Sequence, residues 1–372
     1  MNVKILAMYL PQFHSIPEND LFWGKGFTDW VGVINSKPLF EGHVQPKIPI
    51  NGYYYDLSKK EDIKHQVDLA NKYGIYGFGI YHYWFNSDKV LLTKPAEIIL
   101  NNKDLNINFF FAWDNISWKR SWSKIKGNDW APISDPKKEN KNSQSLLIEY
   151  ILGSKKDWEK HFNYLLPYFK DSRYIKINNC PLFSIFHYSS DIITMCEYWN
   201  ELAIKNGFNG IHILYRNDPF CAIKKNMFTF NYEPATAAWG NSFNRAYNKL
   251  LNLLGKNTGL KKYDYDKVWK KILKTAQKRK NENMWHGAFV NYDDTPRRGN
   301  KGKVIINGSP EKFKTYMTQL INICEKQNKE YILFTAWNEW GEGAFLEPDE
   351  KDKYTYLEKI HDIIKNNSNQ IG

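Results

Sequence analysis

The sequence predicts an α/β fold, a (β/α)8 TIM barrel with extended loops on the C-terminal face of its strands, and three observations lead there. Eight short, almost continuously hydrophobic runs recur along the 372 residues, the pattern of strands buried on both faces. Helical patterns lie between them. No GxGxxG or GxxxxGK motif follows any of the runs, which counts against a doubly wound sheet.

Taken in order, the runs are residues 3–10, 75–81, 107–112, 182–186, 211–215, 227–232, 287–292 and 331–336, the sixth being the weakest. Between the first two, residues 61–73 place Ile63, Val67, Ala70 and Tyr73 on one helical face. Before the eighth, Ser309-Pro310-Glu311 reads as a helix start: a capping hydroxyl, a proline in the first turn and an acid beside it. Phe313, Met317, Leu320 and Cys324 then form a stripe, and a last helix near Tyr354 carries Leu357, Ile360 and Ile364. Two stretches interrupt the alternation, at about 116–145 and 235–285, the second with helices expected at 242–254 and 264–280. Both follow a strand and are expected to wall a cleft over the active face. No linker or internal repeat divides the chain, so one domain over 1–372 is expected.

Composition narrows the function. Hydrophobic residues make up 42% of the chain, enough for a full core, and the 14 Trp and 24 Tyr suit half-wet surfaces such as sugar clefts as well as packing. The net charge of +12 comes mostly from lysines beside asparagines in surface-like runs, so a nucleic-acid partner is not expected; an acidic polysaccharide or a nearby membrane surface fits the charge equally well. Four cysteines without a CxxC pair read as reduced, and no metal or cofactor is expected. The apolar run at the N-terminus is too short for a signal peptide and no stretch approaches a bilayer span, so a cytoplasmic protein is expected.

In a barrel the residues just past each strand converge on one face. Those residues here include Tyr9, Gln12 and His14; Tyr81, His82, Tyr83 and Trp84; Trp113 and Asn115; His187; Glu233; Asp294 and Arg297; and Trp337, Asn338 and Trp340. Rings that stack on sugar faces and polar groups that bond hydroxyls are what a polyhydroxylated ligand needs, so all are expected to bind substrate. Trp30 joins them, although Trp23, Phe27 and Trp30 suit sugar platforms and a local core equally. His82 and His187 lack a matched acidic partner and read as hydrogen-bonded cleft residues, not metal ligands. Asp264-Tyr265-Asp266 mimics a DxD motif, but it heads a helix and reads as a cap. Arg297 and Arg298 either grip an acidic group or pair with Asp293 or Asp294.

The most specific segment follows the last strand. Glycoside cleavage needs two carboxyl groups across the scissile bond, and Glu339 and Glu342 stand three residues apart on a turn containing Gly341 and Gly343. Trp337 and Trp340 would shield them and raise the pKa of one.

Five motifs carry a family resemblance: Ala7-x-Tyr9-Leu10-Pro11-Gln12-Phe13-His14, the run from Trp23 to Trp30, Tyr81-His82-Tyr83-Trp84-Phe85-Asn86, Asp294-Thr295-Pro296-Arg297-Arg298, and Ala336-Trp337-Asn338-Glu339-Trp340-Gly341-Glu342-Gly343. With them the chain resembles the WbsX-like proteins, of the glycoside hydrolase family 99-like domains and related to endo-α-mannosidases, from about residue 3 to 360. The resemblance implies a barrel, no metal, and a place in bacterial O-antigen or capsule polysaccharide biosynthesis. It also implies roles. Glu339 is the base that deprotonates the sugar's own 2-hydroxyl, which attacks the anomeric carbon; Glu342 protonates the leaving oxygen and later activates water, with retention. Asn338 and Trp340-Gly341 differ from the mannosidase pattern, so substrate identity does not transfer. Asn115-Ile116-Ser117-Trp118 stands where relatives often read Asn-Glu-Asn-Trp, which removes a carboxylate. The expected partner is an oligo- or polysaccharide, free or lipid-linked. The alternatives are a glycosyltransferase or transglycosylase of the same pathway and a non-catalytic glycan-binding barrel.

Overall fold

The structure is a computed structural model of the chain, and it describes residues 3–119, 146–217, 227–240, 259–278 and 283–369. Eight parallel strands close into a barrel: β1 (Lys4–Tyr9), β2 (Ile75–Asn86), β3 (Asn108–Trp113), β4 (Cys180–Ile185), β5 (His212–Arg216), β6 (Phe228–Phe230), β7 (Met284–Phe289) and β8 (Tyr331–Thr335). Each strand pairs with the next, and β1 closes the ring by pairing with both β2 and β8, Ala7 standing opposite Phe78 on one side and Phe334 on the other.

Nine helices of six residues or more are used below: α1 (Pro17–Trp23), α2 (Asp29–Ile34), α3 (Lys60–Lys72), α4 (Lys94–Asn101), α5 (Lys155–Phe169), α6 (Ser190–Lys205), α7 (Tyr265–Lys278), α8 (Pro310–Lys326) and α9 (Thr355–Asn369). Their starts follow the local chemistry. The Ser309 hydroxyl accepts from the Lys312 amide at 3.3 Å, and Asp264 accepts from the Lys267 amide at 3.1 Å, so the Asp264-Tyr265-Asp266 run caps α7. Asp266 is held by Lys312 and Tyr316. The stripe Phe313, Met317, Leu320 and Cys324 is buried against the barrel.

The alternation of side chains along β2 decides what reaches the cleft. This strand runs past the expected end at residue 81 because residues 83–86 continue as an antiparallel ribbon with Lys89–Leu91. Gly79 faces the interior, where a Cβ would stand 2.6 Å from the Phe110 ring and 3.0 Å from Met8 Sδ, so the neighbouring strands fill that space. Strand β7 starts and ends three residues before the expected 287–292. Residues beyond it pair instead with an added strand, Lys303–Ile306: Ile305 donates to Tyr292 O at 2.8 Å and Asp294 to Lys303 O at 3.1 Å. Hydropathy alone does not mark where an apolar run leaves the sheet. Of the expected insertions, Trp118–Lys119 and Leu146–Ile148 form an antiparallel pair, and α7 occupies most of the helix expected at 264–280. Residues 120–145, with Trp122 and Trp130, and the helix expected at 242–254 lie outside the described residues.

One buried ion pair ties the base of the barrel to its helices. Arg173 donates from Nη1 to Leu105 O at 2.7 Å and from Nη2 to Ile99 O at 2.7 Å, covering one carbonyl in the last turn of α4 and one in the loop beyond it, and is held by Asp171 through Nε at 3.0 Å and Nη2 at 2.8 Å. Exchanging Arg173→Ala leaves the buried Asp171 carboxylate with only the more exposed Lys103 as cation and uncovers the Ile99 and Leu105 carbonyls, so the unfolding free energy is expected to fall by about 3 kcal/mol. Urea titration measures it, and a fall under about 1 kcal/mol would contradict this account.

Candidate active site

The site begins with a clamp. Where β8 ends, the Trp337 amide donates to Met8 O at 2.7 Å, and the buried Asn338 amide spans β1, accepting from Leu10 N at 2.6 Å and donating to Leu10 O at 3.0 Å. Asn338 and Glu339 then pair antiparallel with Ala344 and Phe345, and the tight turn Trp340–Glu342 joins them. Gly341 permits the turn to press inward: a Cβ there would meet Arg297 Nε and Asp29 Oδ2, both at 2.6 Å. The turn carries Glu339 and Glu342 to one partner.

That partner is Arg297. Its Nη1 donates to Glu342 Oε1 at 2.9 Å and its Nη2 to Glu339 Oε2 at 3.1 Å. Its other edge grips Asp29, from Nε at 3.2 Å and from Nη2 at 3.1 Å to both carboxylate oxygens. Asp29, at the start of α2, also accepts from the Gly341 amide at 3.1 Å. Loops after β1, β7 and β8 therefore meet on one guanidinium, whose planar fork suits several carboxylates at once. Arg297 rides on a short helical turn, Thr295–Arg298; just before it the Asp293 carboxylate accepts from Thr295 and is fixed by His43 Nε2 and Gln45 Nε2, each at 2.7 Å.

The electrostatics follow from burial. One cation among three carboxylates leaves the cluster negative when all are ionised. Burial raises the pKa of Glu339 well above the carboxylate range; Arg297 opposes this, and the charges of Glu342 and Asp29 add to it. Burial also pushes Asp114 up to about 6, with Arg216 opposing and Glu342 adding. Tyr81, Tyr83 and Tyr232 stand above the usual phenol value through burial and the Glu339 charge, and the Tyr81 and Tyr232 hydroxyls bond at 2.6 Å. Gln12 reaches the Tyr83 hydroxyl at 3.4 Å.

Beside this cluster opens a pocket of about 610 Å³ including its mouth. Gln12, Asp29 and Arg297 supply polar groups to its lining, and Trp23, Phe27, Trp118, Leu147 and Pro296 supply most of its apolar surface. Of the aromatic run 23–30, two rings thus face the pocket. Trp30 does not: its Nε1 donates to Tyr55 O at 2.9 Å and its ring packs on Phe13, Tyr55 and Trp340, a local core.

Several residues expected to bind substrate face elsewhere. Tyr9 is buried and donates to Gln66 of α3 at 2.6 Å. His14 is buried, with Asp56, Lys94 and Glu97 as its charged neighbours. His82 and Trp84 project from β2 on the side opposite Tyr81 and Tyr83: His82 Nε2 lies 2.8 Å from His161 Nε2 of α5, and Trp84 stacks on that imidazole at 4.2 Å. Trp113, opposite His82, is buried in the same layer and donates to Trp84 O at 2.9 Å. Asn115 holds the backbone of His187 through both its N–H and C=O, a structural tie, whereas the His187 side chain is half-exposed with Nε2 4.0 Å from Asp114. Glu233 is buried and accepts from the Ala237 amide at 2.8 Å, capping a short helical turn. Asp294 is fully buried with Arg298 at 3.0 Å and the Lys303 amide at 2.5 Å, so of the two arginines only Arg298 holds the loop through it. Trp337 packs on Phe78, Asn338 is the clamp, and Trp340 donates to Glu347 at 2.6 Å.

Two acids escaped the reading of the sequence. Asp114 directly follows outward-facing Trp113 and so points inward, which strand alternation would have indicated. Asp29 lies 268 residues before Arg297 and 312 before Gly341, and although it stands within the run from Trp23 to Trp30, nothing local marks that contact. Among the described residues no group of three or more His, Cys, Asp or Glu side chains stands close enough to hold a metal ion, and no helix is long and apolar enough to cross a membrane.

A family model described as "Glycosyltransferase WbsX" matches residues 5–360. A protein described as uncharacterized protein WxcX, from Xanthomonas campestris pv. campestris (strain B100), is 28% identical over 370 residues, which cover 95% of this chain and 48% of that protein. The chain thus spans about half the length of the curated relatives it matches. Among solved structures, the GH99 endo-alpha-mannosidase from Bacteroides thetaiotaomicron superposes with a TM-score of 0.57 at 14% identity, covering 99% of this chain and 98% of that one. A glycoside hydrolase-like protein gives 0.57 at 12% identity, covering 98% and 94%. At such identities the likeness establishes the fold.

The buried acids make stability depend on pH. Burial pushes Glu347 up to about 8 against the bonds from Trp340 and Tyr55, and Glu233 up to about 7. In both, the folded protein holds the proton more tightly than the unfolded chain. Their stabilisation is complete below the ordinary glutamate value and is lost as pH rises through about 7 and then about 8. Burial also holds His82 down to about 3 and His212 down to about 4, which costs stability below the ordinary imidazole value. Above that value the acids govern the slope, and thermal unfolding is expected at higher temperature near pH 7 than near pH 8.5, each group contributing at most about 1.4 kcal/mol per pH unit. Glu347→Gln, which mimics the protonated acid, is expected to flatten the slope. A midpoint that climbs steadily from about pH 7 to about pH 8.5 would contradict the assignment.

Proposed function

Because the chain belongs to the WbsX family, described as a glycosyltransferase family, we propose that it acts on a glycosidic bond of a bacterial surface polysaccharide, an O-antigen or capsule, as a retaining enzyme of the glycoside hydrolase type. The observation that carries this reading is the convergence of Glu339 and Glu342 on adjacent nitrogens of Arg297, beside an aromatic-walled pocket at the C-terminal end of the barrel.

The carboxylate pair carries one proton; burial favours it on Glu339, and the reactive form is the one in which it has passed to Glu342. Ionised Glu339 takes the proton from the sugar's 2-hydroxyl, and that oxygen forms a bond to the anomeric carbon as the glycosidic bond breaks. Glu342 gives its proton to the leaving oxygen. Water then attacks the same carbon and passes a proton to Glu342, the three-membered ring opens, and Glu339 returns its proton to the 2-oxygen. Two inversions give net retention. The environment of Glu339 suits its part, since a carboxylate whose pKa is raised by burial is a stronger base once ionised. Arg297 keeps that ionised form accessible and fixes the spacing of the pair.

A second reading, glycosyl transfer, is favoured by the family's description. It uses the same pair, with a sugar hydroxyl in place of water. Incubation of the purified protein with the surface polysaccharide of the strain that carries it, read by mass spectrometry, is expected to yield fragments whose first-formed anomer is retained. Glu339→Gln and Glu342→Gln are each expected to lower turnover by about 10²–10⁴-fold. Product profiles unchanged in Glu342→Gln would falsify the catalytic assignment, and tight binding of a nucleotide-sugar in calorimetry would turn the reading to transfer.

A further inference from the structure

The pocket beside Arg297 holds a feature that the catalytic reading does not use. Asn19 lines it and is only 2% exposed, and its Nδ2 has no hydrogen-bond partner among the described residues. A buried amide donor left unpaired is costly, so its presence in the lining of a pocket points to a ligand acceptor. Asn19 and Trp23 are the buried residues of α1, one helical turn apart, so the donor and the ring share a face. The Trp23 and Phe27 rings lie 5.9 Å apart, Trp118 and Leu147 also line the pocket, and Lys119, another lining residue, is exposed.

We propose that this pocket is a subsite for the N-acyl group of an acetamido sugar. Within the apolar walls, an unsubstituted hexose would present hydroxyls that lack partners. An acetamido group brings a single carbonyl acceptor for Asn19 Nδ2 and a methyl group for the rings, and leaves the rest of the sugar to Gln12, Asp29 and Arg297. The inference rests on the glycan-processing reading above and narrows its substrate class. An acylated nitrogen at carbon 2 would replace the hydroxyl that attacks the anomeric carbon in the reaction. A 2-acetamido residue in this pocket is therefore a neighbour of the reacting sugar, one guanidinium away from the carboxylate pair.

The test is direct binding to the intact chain by calorimetry and saturation-transfer NMR. The probes are methyl glycosides of 2-acetamido hexoses (gluco, galacto and manno), the parent hexosides, and methyl rhamnoside, which offers a methyl group without an amide. The acetamido glycosides are expected to bind roughly tenfold more tightly than their parents, with the strongest saturation transfer at the acetyl methyl, and Asn19→Ala is expected to remove that advantage. The wild-type comparison stands even where the variant fails to fold. Equal affinity for parent hexosides or rhamnoside, or an advantage that survives in folded Asn19→Ala, overturns the inference and leaves the catalytic reading intact. Failure of every glycoside to bind sinks both.

Discussion

The site depends on one guanidinium that three carboxylates share. Glu339 is buried, Glu342 is partly so, and Asp29 approaches from another loop; without a cation their mutual repulsion and desolvation would drive them apart or neutralise them. Arginine meets the need in a way that lysine does not, because its charge is fixed and its nitrogens point along separate in-plane directions. Asp29 takes one edge and leaves the other for the two glutamates. The Gly341 amide, bonded to the same Asp29, ties the turn that carries the pair to the cation that organises it. Geometry and electrostatics are therefore set by a single cluster.

Around that cluster the barrel supplies position and the loops supply surface. The clamp of Asn338 on Leu10 fixes the exit of the last strand to that of the first, and the Tyr81–Tyr232 hydroxyl pair links the second strand to the segment after the sixth. The aromatic walls come from the short helices after β1 and from the strand pair beside Trp118. Rings with a few polar groups at one end suit a ligand with both faces and edges, in keeping with the family to which the chain belongs.

The architecture was legible because parallel strands buried on both faces leave unbroken hydrophobic runs, and seven of the eight runs overlap their strands with end shifts of one or two residues, apart from the long extension of β2. The glutamate pair was legible because both acids sit on one short turn. The facing of individual side chains was not. Expecting a loop after residue 81 hid the strand alternation that sends His82 and Trp84 against the helices and Tyr81 and Tyr83 into the interior. Trp30, Trp337 and Trp340 share the amphipathic character of sugar platforms but satisfy it within the protein, against Tyr55, Phe78 and Glu347. Asp29 shows the limit most clearly, since a contact spanning most of the chain leaves no local trace.

The interlock of Asp29, Arg297, Gly341 and the two glutamates also bears on how such a protein diversifies. A change at any one of these positions alters the footing of the other four, so neutral drift there requires concerted replacement and strong epistasis is built in. Trp23, Phe27 and Leu147 carry no such obligation to the cluster, although they border it. Lineages can thus remodel the pocket walls one residue at a time, changing what the pocket accepts while the Arg297 cluster stays as inherited.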